Sequence, residues 1–461
     1  MHARRRLAIL LLASLAIPPG SPGAAPAPAA GAPGPPLAPV PLTSERLAVE
    51  ELDGLDGLRI FEIRIAGNRF TRDATILREL LLQPGEAFDA SLLERDLRFL
   101  EGLGIFAEVS VAPWPTPAGL ILVYRVVERG DARIGLFYPL GELRDDELQA
   151  GIAYRHRNLR GRREELHVKR TLGWEDRYEA RLIRPWLGAL PLGHSLRWTY
   201  RERREPDDRF RIRYLELAVW FSLERRRPQA QQLMLQATLG DRAFIDDDRD
   251  FRERTNAVTL GYVRDSRDSY LRPTRGGRLR LYATVFDPGI GSSVSLRRTR
   301  ACLCRYQRLP LGWVGALAVD ARQQWGSLYH KGVYDLGGME TVRGHADGAY
   351  VGWEGHDLAS GPRGRNRGVV HLELRRGVLP HWTFTLPVVG VVDLQGDGVL
   401  FVDGGLLWSG SELAPEGRTA RALGFGVGLR LYTPFEDVLR AELGLRAGGR
   451  YEIHVGTGFD Y

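Results

Sequence analysis

Few residues of this 461-residue chain stand in a pattern that makes or breaks bonds. There is no His-Glu-x-x-His, no Gly-x-Ser-x-Gly and no phosphate-binding loop. The ten His combine with Ser in no order that singles out a triad, so no residue is expected to be catalytic. Asp246-Asp247-Asp248 with Asp250 offers carboxylates to Ca²⁺ but lacks the EF-hand spacing, and reads as a polar loop tip. Cys302 and Cys304 are the two cysteines. Their separation in a strand-like run suits neither a disulfide nor a metal site, so they read as structural thiols. Gly424-x-Gly426-x-Gly428 lies in an alternating run, where close packing by a neighbouring loop accounts for it better than phosphate. No metal and no cofactor are expected. The most demanding side chain is Arg343, in the Gly-rich stretch Gly332 to Arg367. Its guanidinium is a permanently charged fork. It is either one of many solvated Arg or, inside a lumen, a group that must be paired.

The composition narrows the class. Charged residues make up 26% of the chain, mean hydropathy is −0.23, and the formal net charge is +7. All but two of the 64 basic residues are Arg, the exceptions being Lys169 and Lys331. They are spread among 57 acids with no concentrated basic tract, so nucleic acid is not an expected partner. The longest uncharged apolar run, Leu7 to Ile17, is too short for a spanning helix, which argues against a helical membrane protein. Preceded by Arg4-Arg5-Arg6 and followed by small residues near Ala25-Pro26-Ala27, it has the form of a secretory signal over residues 1–27. Residues 28–54 are rich in Ala, Pro and Gly and read as a flexible or polyproline-like spacer.

Residues 55–131 have the pattern of a small α+β domain. Ile60 to Ile65 is a strand ending at the Gly67-Asn68 turn signal. Thr71 fits the N-cap of a helix carrying Ile76, Leu77, Leu80 and Leu81, broken by Pro84-Gly85. A second helix from about Asp89 places Leu92, Leu93, Leu97, Leu100 and Leu103 at helical spacing. Two strands follow, around Val109 to Val111 and Leu120 to Val126.

From residue 132 the period is two. Leu215, Leu217, Val219, Phe221 and Leu223 alternate with polar or small neighbours, as do Leu233 to Leu239, Leu279 to Val285, Val370 to Leu374 and Leu423 to Leu431. A soluble β-sandwich also alternates. Three features favour a transmembrane β-barrel: segments of about ten residues, a polar face dense in Arg, Glu and His, and an export signal without spanning helices. At about twenty residues per strand and turn, residues 132–461 hold about sixteen strands, an even number in the usual range.

Three sets of residues resemble known families. Gly67-Asn68, Pro84-Gly85-Glu86-Ala87-Phe88 and Leu100 to Phe106 resemble a POTRA domain. Such domains bind extended chains along a sheet edge. Leu336 to Gly344 resembles the lumen-folded loop of the BamA/TamA outer-membrane assembly superfamily, with a Val-Arg-Gly-aromatic tip in which His345 takes the aromatic place. Asp265 to Asp268 with Pro273 to Gly276, Phe401 to Gly405, and Gly426 to Arg430 through Thr433-Pro434-Phe435 match further family elements in order. His454 to Tyr461 resembles the C-terminal β-signal of bacterial outer-membrane barrels, through His454, Gly456, Phe459 and Tyr461.

The resemblance implies an all-β transmembrane barrel of about sixteen antiparallel strands behind a periplasmic POTRA-like domain, in the bacterial outer membrane. It implies a lumen latch of Val342, Arg343, Gly344, His345, Glu373, Phe401, Asp403 and Gly405, with Asp403 and Glu373 as partners of Arg343. The implied function is to assist insertion of barrel proteins. Implied partners are unfolded outer-membrane clients, outer-membrane lipids, and periplasmic or lipoprotein accessory factors. Gly456 and Gly458 fit a weakly packed closing strand. Two other readings stand beside this one. The first is a dedicated exporter of two-partner-secretion type, although such relatives usually carry two POTRA domains and a plug helix. The second is a plain outer-membrane pore.

Overall fold

The computed structural model describes residues 42–43, 54–130, 136–144, 147–173, 175–188, 190, 192–205, 208–223, 231–246, 250–269, 272–328, 333–345, 364–386, 390–409, 420–432 and 438–457. The expected signal (1–27) and nearly all of the spacer lie outside these residues, as do Asp247, Asp248, Thr433-Pro434-Phe435, Gly458, Phe459 and Tyr461.

The first folded unit contains β1 (Leu42–Thr43), β2 (Ile60–Ala66), α1 (Asp73–Leu77), α2 (Ala90–Gly102), β3 (Phe106–Thr116) and β4 (Gly119–Glu128). Its sheet order is β1-β3-β4-β2, with β2 parallel to β4 and β3 antiparallel to it. The helical spacing of Leu93, Leu97 and Leu100 puts all three in a core with Ile60, Ile76, Val111 and Leu122. Asp89 caps α2 by accepting from the Ser91 and Leu92 amides, and its carboxyl is held below its ordinary range chiefly by hydrogen bonds from Ser91.

The first helix departs from expectation. It stops at Leu77, and Thr71 does not cap it. The buried Asp96 carboxylate accepts from the Leu81 and Leu82 amides, at 2.7 and 3.1 Å. Those amides are therefore satisfied by a side chain rather than by a further helical turn. Tyr124 also donates to Asp96, and burial, reinforced by that charge, pushes its hydroxyl well above the ordinary tyrosine pKa. Thr71 is engaged elsewhere, donating its amide to Glu128 and accepting at its hydroxyl from Asn158, beyond the first unit.

The second architecture is a closed barrel of consecutive antiparallel neighbours. Its first strands are β5 (Leu136–Arg144), β6 (Glu147–Leu159), β7 (Glu164–Leu172), β8 (Glu175–Arg184), β9 (Leu192–Glu205) and β10 (Asp208–Ser222). Then come β11 (Gln231–Asp246), β12 (Asp250–Arg254), β13 (Ala257–Asp265), β14 (Gly276–Phe286), β15 (Leu296–Arg308) and β16 (Val314–Gly326). The last are β17 (Asn366–Leu386), β18 (Gly390–Trp408), β19 (Ala420–Tyr432), β20 (Val438–Arg446) and β21 (Tyr451–Thr457). Since β12 and β13 both pair along β11, they form one interrupted strand, and the barrel has sixteen. The alternation points as expected: Leu217, Leu235, Leu281, Leu372 and Leu423 face outward, while Arg430, Glu373 and Asp403 are buried in the interior. An apolar exterior on a sheet that closes on itself is what a spanning barrel presents to lipid. Cys302 and Cys304 are buried on β15 and unbridged.

The small domain is docked on the barrel through polar contacts. The Gly161 carbonyl, in the β6–β7 turn, accepts from the Arg72 amide at 3.1 Å and the Thr75 hydroxyl at 2.8 Å. The fully buried Glu79 carboxylate accepts from Arg163 at 3.1 Å and from the Trp186 indole at 2.9 Å, while the Arg78 guanidinium lies over the Trp186 ring. Removing one partner of a buried pair strands the other. Glu79→Ala should cost about 3 kcal/mol at this junction, read as faster proteolytic separation of the small domain from the barrel. An unchanged cleavage rate would show that the contacts do not hold the junction.

Candidate functional site

The connection between β16 and β17 enters the barrel. A tight turn from Gly337 to His345 forms its tip. Gly337, Gly338 and Gly344 take φ of 116°, 85° and 91°, and the Thr341 hydroxyl accepts from the Gly337 amide and donates to its carbonyl. The Gly338 amide closes the turn on the His345 carbonyl. Below it Leu336 and Val342 are fully buried against Val369, Leu407 and Ala422 of the barrel wall.

Arg343 is 0% exposed. Its fork meets Asp403 of β18 through Nε at 2.6 Å and Nη2 at 2.7 Å, and its amide donates to the same carboxylate at 3.0 Å. Nη1 lies 3.0 Å from both Glu373 of β17 and Glu442 of β20. The guanidinium also rests on the Phe401 ring, 3.6 Å from its centroid. Arg343, Glu373, Phe401 and Asp403 are thus brought together, as the motif resemblance implies.

Side chains that sequence reasoning did not assign complete the cluster. Arg430 donates to Glu373 at 2.5 and 2.8 Å and to Glu442 at 3.2 Å, Arg440 donates to Glu442 at 2.7 Å, and His371 Nδ1 lies 2.9 Å from Asp403. Three guanidinium groups therefore face three carboxylates in a buried, charge-balanced network. Their signal was present as polar positions on the inward stripe of β17, β19 and β20. Among 62 Arg that signal was too common to single out.

Glycine lets the tip come this close. A Cβ on Gly424 would stand 1.7 Å from the Arg343 carbonyl oxygen, and one on Gly444 would stand 2.2 Å from the Gly344 amide. Gly405 makes the same kind of room for Val342 and Leu336. The glycine run of β19 is thus a cradle for a neighbouring loop. Gly424→Ala should displace the tip at a cost on the order of 3 kcal/mol, seen as faster hydrogen exchange over Leu336–His345. Exchange as slow as in the parent would contradict the cradle.

His345 is buried at the aromatic position of the tip. Its Nε2 lies 3.0 Å from the Leu423 carbonyl and its Nδ1 3.5 Å from Arg446. With the proton on Nε2, the ring donates to the carbonyl and accepts from the guanidinium, two bonds a phenyl ring could not make. The Gly344 amide donates to His454 Nε2 of β21 at 3.2 Å, so a residue assigned to the terminal strand also touches the tip. Gly456, expected to leave the closing strand thinly packed, instead faces Met339, whose Cε would lie 2.4 Å from an added Cβ. Room for the loop, rather than a gap, explains this glycine.

With this geometry in place, comparison with known proteins assigns the chain. The Omp85 superfamily domain matches residues 126–446, and a surface-antigen variable number repeat (POTRA) matches residues 58–129. The chain is similar in structure to BamA from Haemophilus ducreyi lacking POTRA domains 1–3, with a TM-score of 0.53 and 16% identity, covering 87% of this chain and 84% of that one. It is also similar to CdiB from Escherichia coli, with a TM-score of 0.59 and 15% identity, covering 88% and 77%. At such identities the likeness is one of fold. A Treponema pallidum protein named "Putative outer membrane protein assembly factor" is 30% identical over 141 residues, 30% of this chain and 16% of that protein. The chain thus matches about a sixth of that relative's length. The superfamily is one of non-enzymatic insertases and transporters, its barrel seated in the outer membrane and its POTRA domain in the periplasm. The chain therefore belongs to the Omp85 superfamily, with a POTRA domain ahead of its barrel.

Proposed function

We propose that the protein assists the insertion and assembly of β-barrel proteins in the bacterial outer membrane, with residues 1–27 as its export signal and 28–54 as a spacer. The observation that carries this reading is the barrel's closing seam. Among the described residues β21 and β5 pair at a single position, Val455 with Leu143. By contrast β21 pairs with β20 from Tyr451 to Thr457, and β5 with β6 over its whole length. The first and last strands are neighbours in the barrel with no loop joining them, so the seam is where the wall can part. An opened strand edge is a template for another strand.

A client would first be held along β3 of the POTRA sheet, the strand on which β1, among the described residues, adds at Val111 and Ser110. It would then add strands at the β5–β21 seam, aided by local thinning of the bilayer. In this reading the latch of Val342, Arg343, Gly344 and His345, held by Glu373, Phe401, Asp403 and Gly405, braces the wall beside the seam, since His454 and Gly456 of β21 both meet the loop. Clients, surrounding lipids, and periplasmic or lipoprotein accessory factors are the partners it calls for.

The test is reconstitution in liposomes. A urea-unfolded, unrelated outer-membrane barrel should fold faster there than in empty liposomes. No acceleration by correctly folded protein would overturn the reading in favour of a dedicated exporter or a pore.

A further inference from the structure

One family element, Asp265 to Asp268 with Pro273 to Gly276, forms the turn between β13 and β14. Asp268 and Ser269 line one chamber with Phe99 and Gly102 of α2, so this turn stands at the POTRA end of the barrel. Three antiparallel strands, β14 to β16, separate it from the latch loop, which therefore enters from the opposite end. The arm from Arg272 to Arg275 is shaped by its own residues. The Asp268 carboxylate accepts from the Thr274 amide at 2.8 Å, from the Thr274 hydroxyl, and from the Arg275 amide at 3.0 Å. Arg308 of β15 donates to the same hydroxyl at 2.8 Å, and Pro273 fixes its own φ.

Arg272 carries this arm into the lumen. Its fork meets Asp397 of β18 through Nε at 3.1 Å and Nη2 at 2.5 Å, and Nη1 donates to the Gln395 side-chain oxygen at 3.0 Å. Four strands, β14 to β17, separate β13 from β18 in the wall, so the reach runs across the inside. Period two gives the same answer: buried Asp397 shares a face with Phe401 and Asp403, Arg375 with Glu373, and Tyr432 with Arg430. Tyr432 donates to Asp397 at 3.0 Å, and Arg375 donates to the Pro273 carbonyl at 3.4 Å. Arg375 and Tyr432 stand two residues nearer the POTRA end than Glu373 and Arg430, a step of about 7 Å. The arm thus fills the layer next to that of Arg343.

We propose that Arg272 is a second latch, entering from the POTRA end and holding the inner faces of β17 to β19 independently of Arg343. Release of the loop tip from one end then leaves the layer at the other end shut. This goes beyond the insertase reading and does not depend on it.

The two native thiols report the two layers separately. Cys302 lines a small cavity with Glu340 of the latch loop and His371. Cys304 packs with Tyr306 and Ala318, and the Arg375 guanidinium that donates to Pro273 lies over the Tyr306 ring, 4.9 Å from its centroid. The experiment uses the full chain in nanodiscs, with Cys302→Ser or Cys304→Ser leaving one thiol, and follows the rate of labelling by a charged maleimide. Arg272→Ala should speed labelling of Cys304 by about tenfold, the worth of a charge-assisted hydrogen bond, and leave Cys302 at the parent's rate. Arg343→Ala should do the reverse. Arg272→Lys should fall between parent and alanine variant, because an ammonium cannot form the fork. Misfolding would speed both thiols at once, so it cannot produce the crossed pattern. Cys304 unmoved by Arg272→Ala, or both thiols sped alike by each variant, would overturn the proposal.

Discussion

Arg343→Ala should free the loop tip from the barrel wall while leaving the barrel closed. The side chain makes four hydrogen-bonded or ionic contacts inside 3.0 Å and lies flat on Phe401. Without it Asp403 keeps His371 and the backbone amide of residue 343, and the network is left with one buried negative charge in excess. Breaking a buried pair of this kind costs about 3–5 kcal/mol. Amide exchange over Leu336–His345 should accelerate by about two to four orders of magnitude, following that cost. Arg343→Lys should recover only part, because an ammonium cannot span Asp403 and Glu442 as a planar fork does. If the latch braces the wall beside the seam, client folding by the alanine variant should fall toward the rate of empty liposomes. Alanine and parent chains with equal exchange over the tip would refute the latch.

Covalent closure of the seam should have the larger functional effect. Leu143 and Val455 are register partners across β5 and β21. Antiparallel partners lie about 4.5–5.5 Å apart at Cα, within the range a disulfide bridges. Leu143→Cys with Val455→Cys should therefore cross-link under mild oxidation and hold the first and last strands together. The native Cys302 and Cys304 are buried on β15 and do not compete. Oxidation should abolish acceleration of client folding, and reduction should restore it in the same vesicles.

Much of this fold was legible because its signals are local. Period-two alternation in Leu233 to Leu239 or Leu423 to Leu431 states which face meets lipid, whatever strand lies beside it. The helical spacing of Leu93, Leu97 and Leu100 likewise states which face of α2 is buried. The end of α1 was not legible, because the carboxylate that takes the Leu81 and Leu82 amides belongs to Asp96, a helix away. At the latch, the residues within short motifs were found by resemblance, and Arg430, Arg440 and Glu442 were not. Their meeting depends on register: Arg430 stands opposite Arg440 across β19 and β20, a like-charged pair that Glu442 reconciles. No single strand encodes that relation. The seam is of the same kind, since it is a property of how the last strand returns to the first.

Client strands are expected to enter through the β5–β21 seam. The most direct test is the folding rate of a urea-unfolded, unrelated outer-membrane barrel in liposomes containing the Leu143→Cys/Val455→Cys protein, measured before and after reductant. The rate should be that of empty liposomes while the disulfide holds, with acceleration equal to the parent's once it is reduced. Equal acceleration in both states, with the cross-link verified, would contradict it.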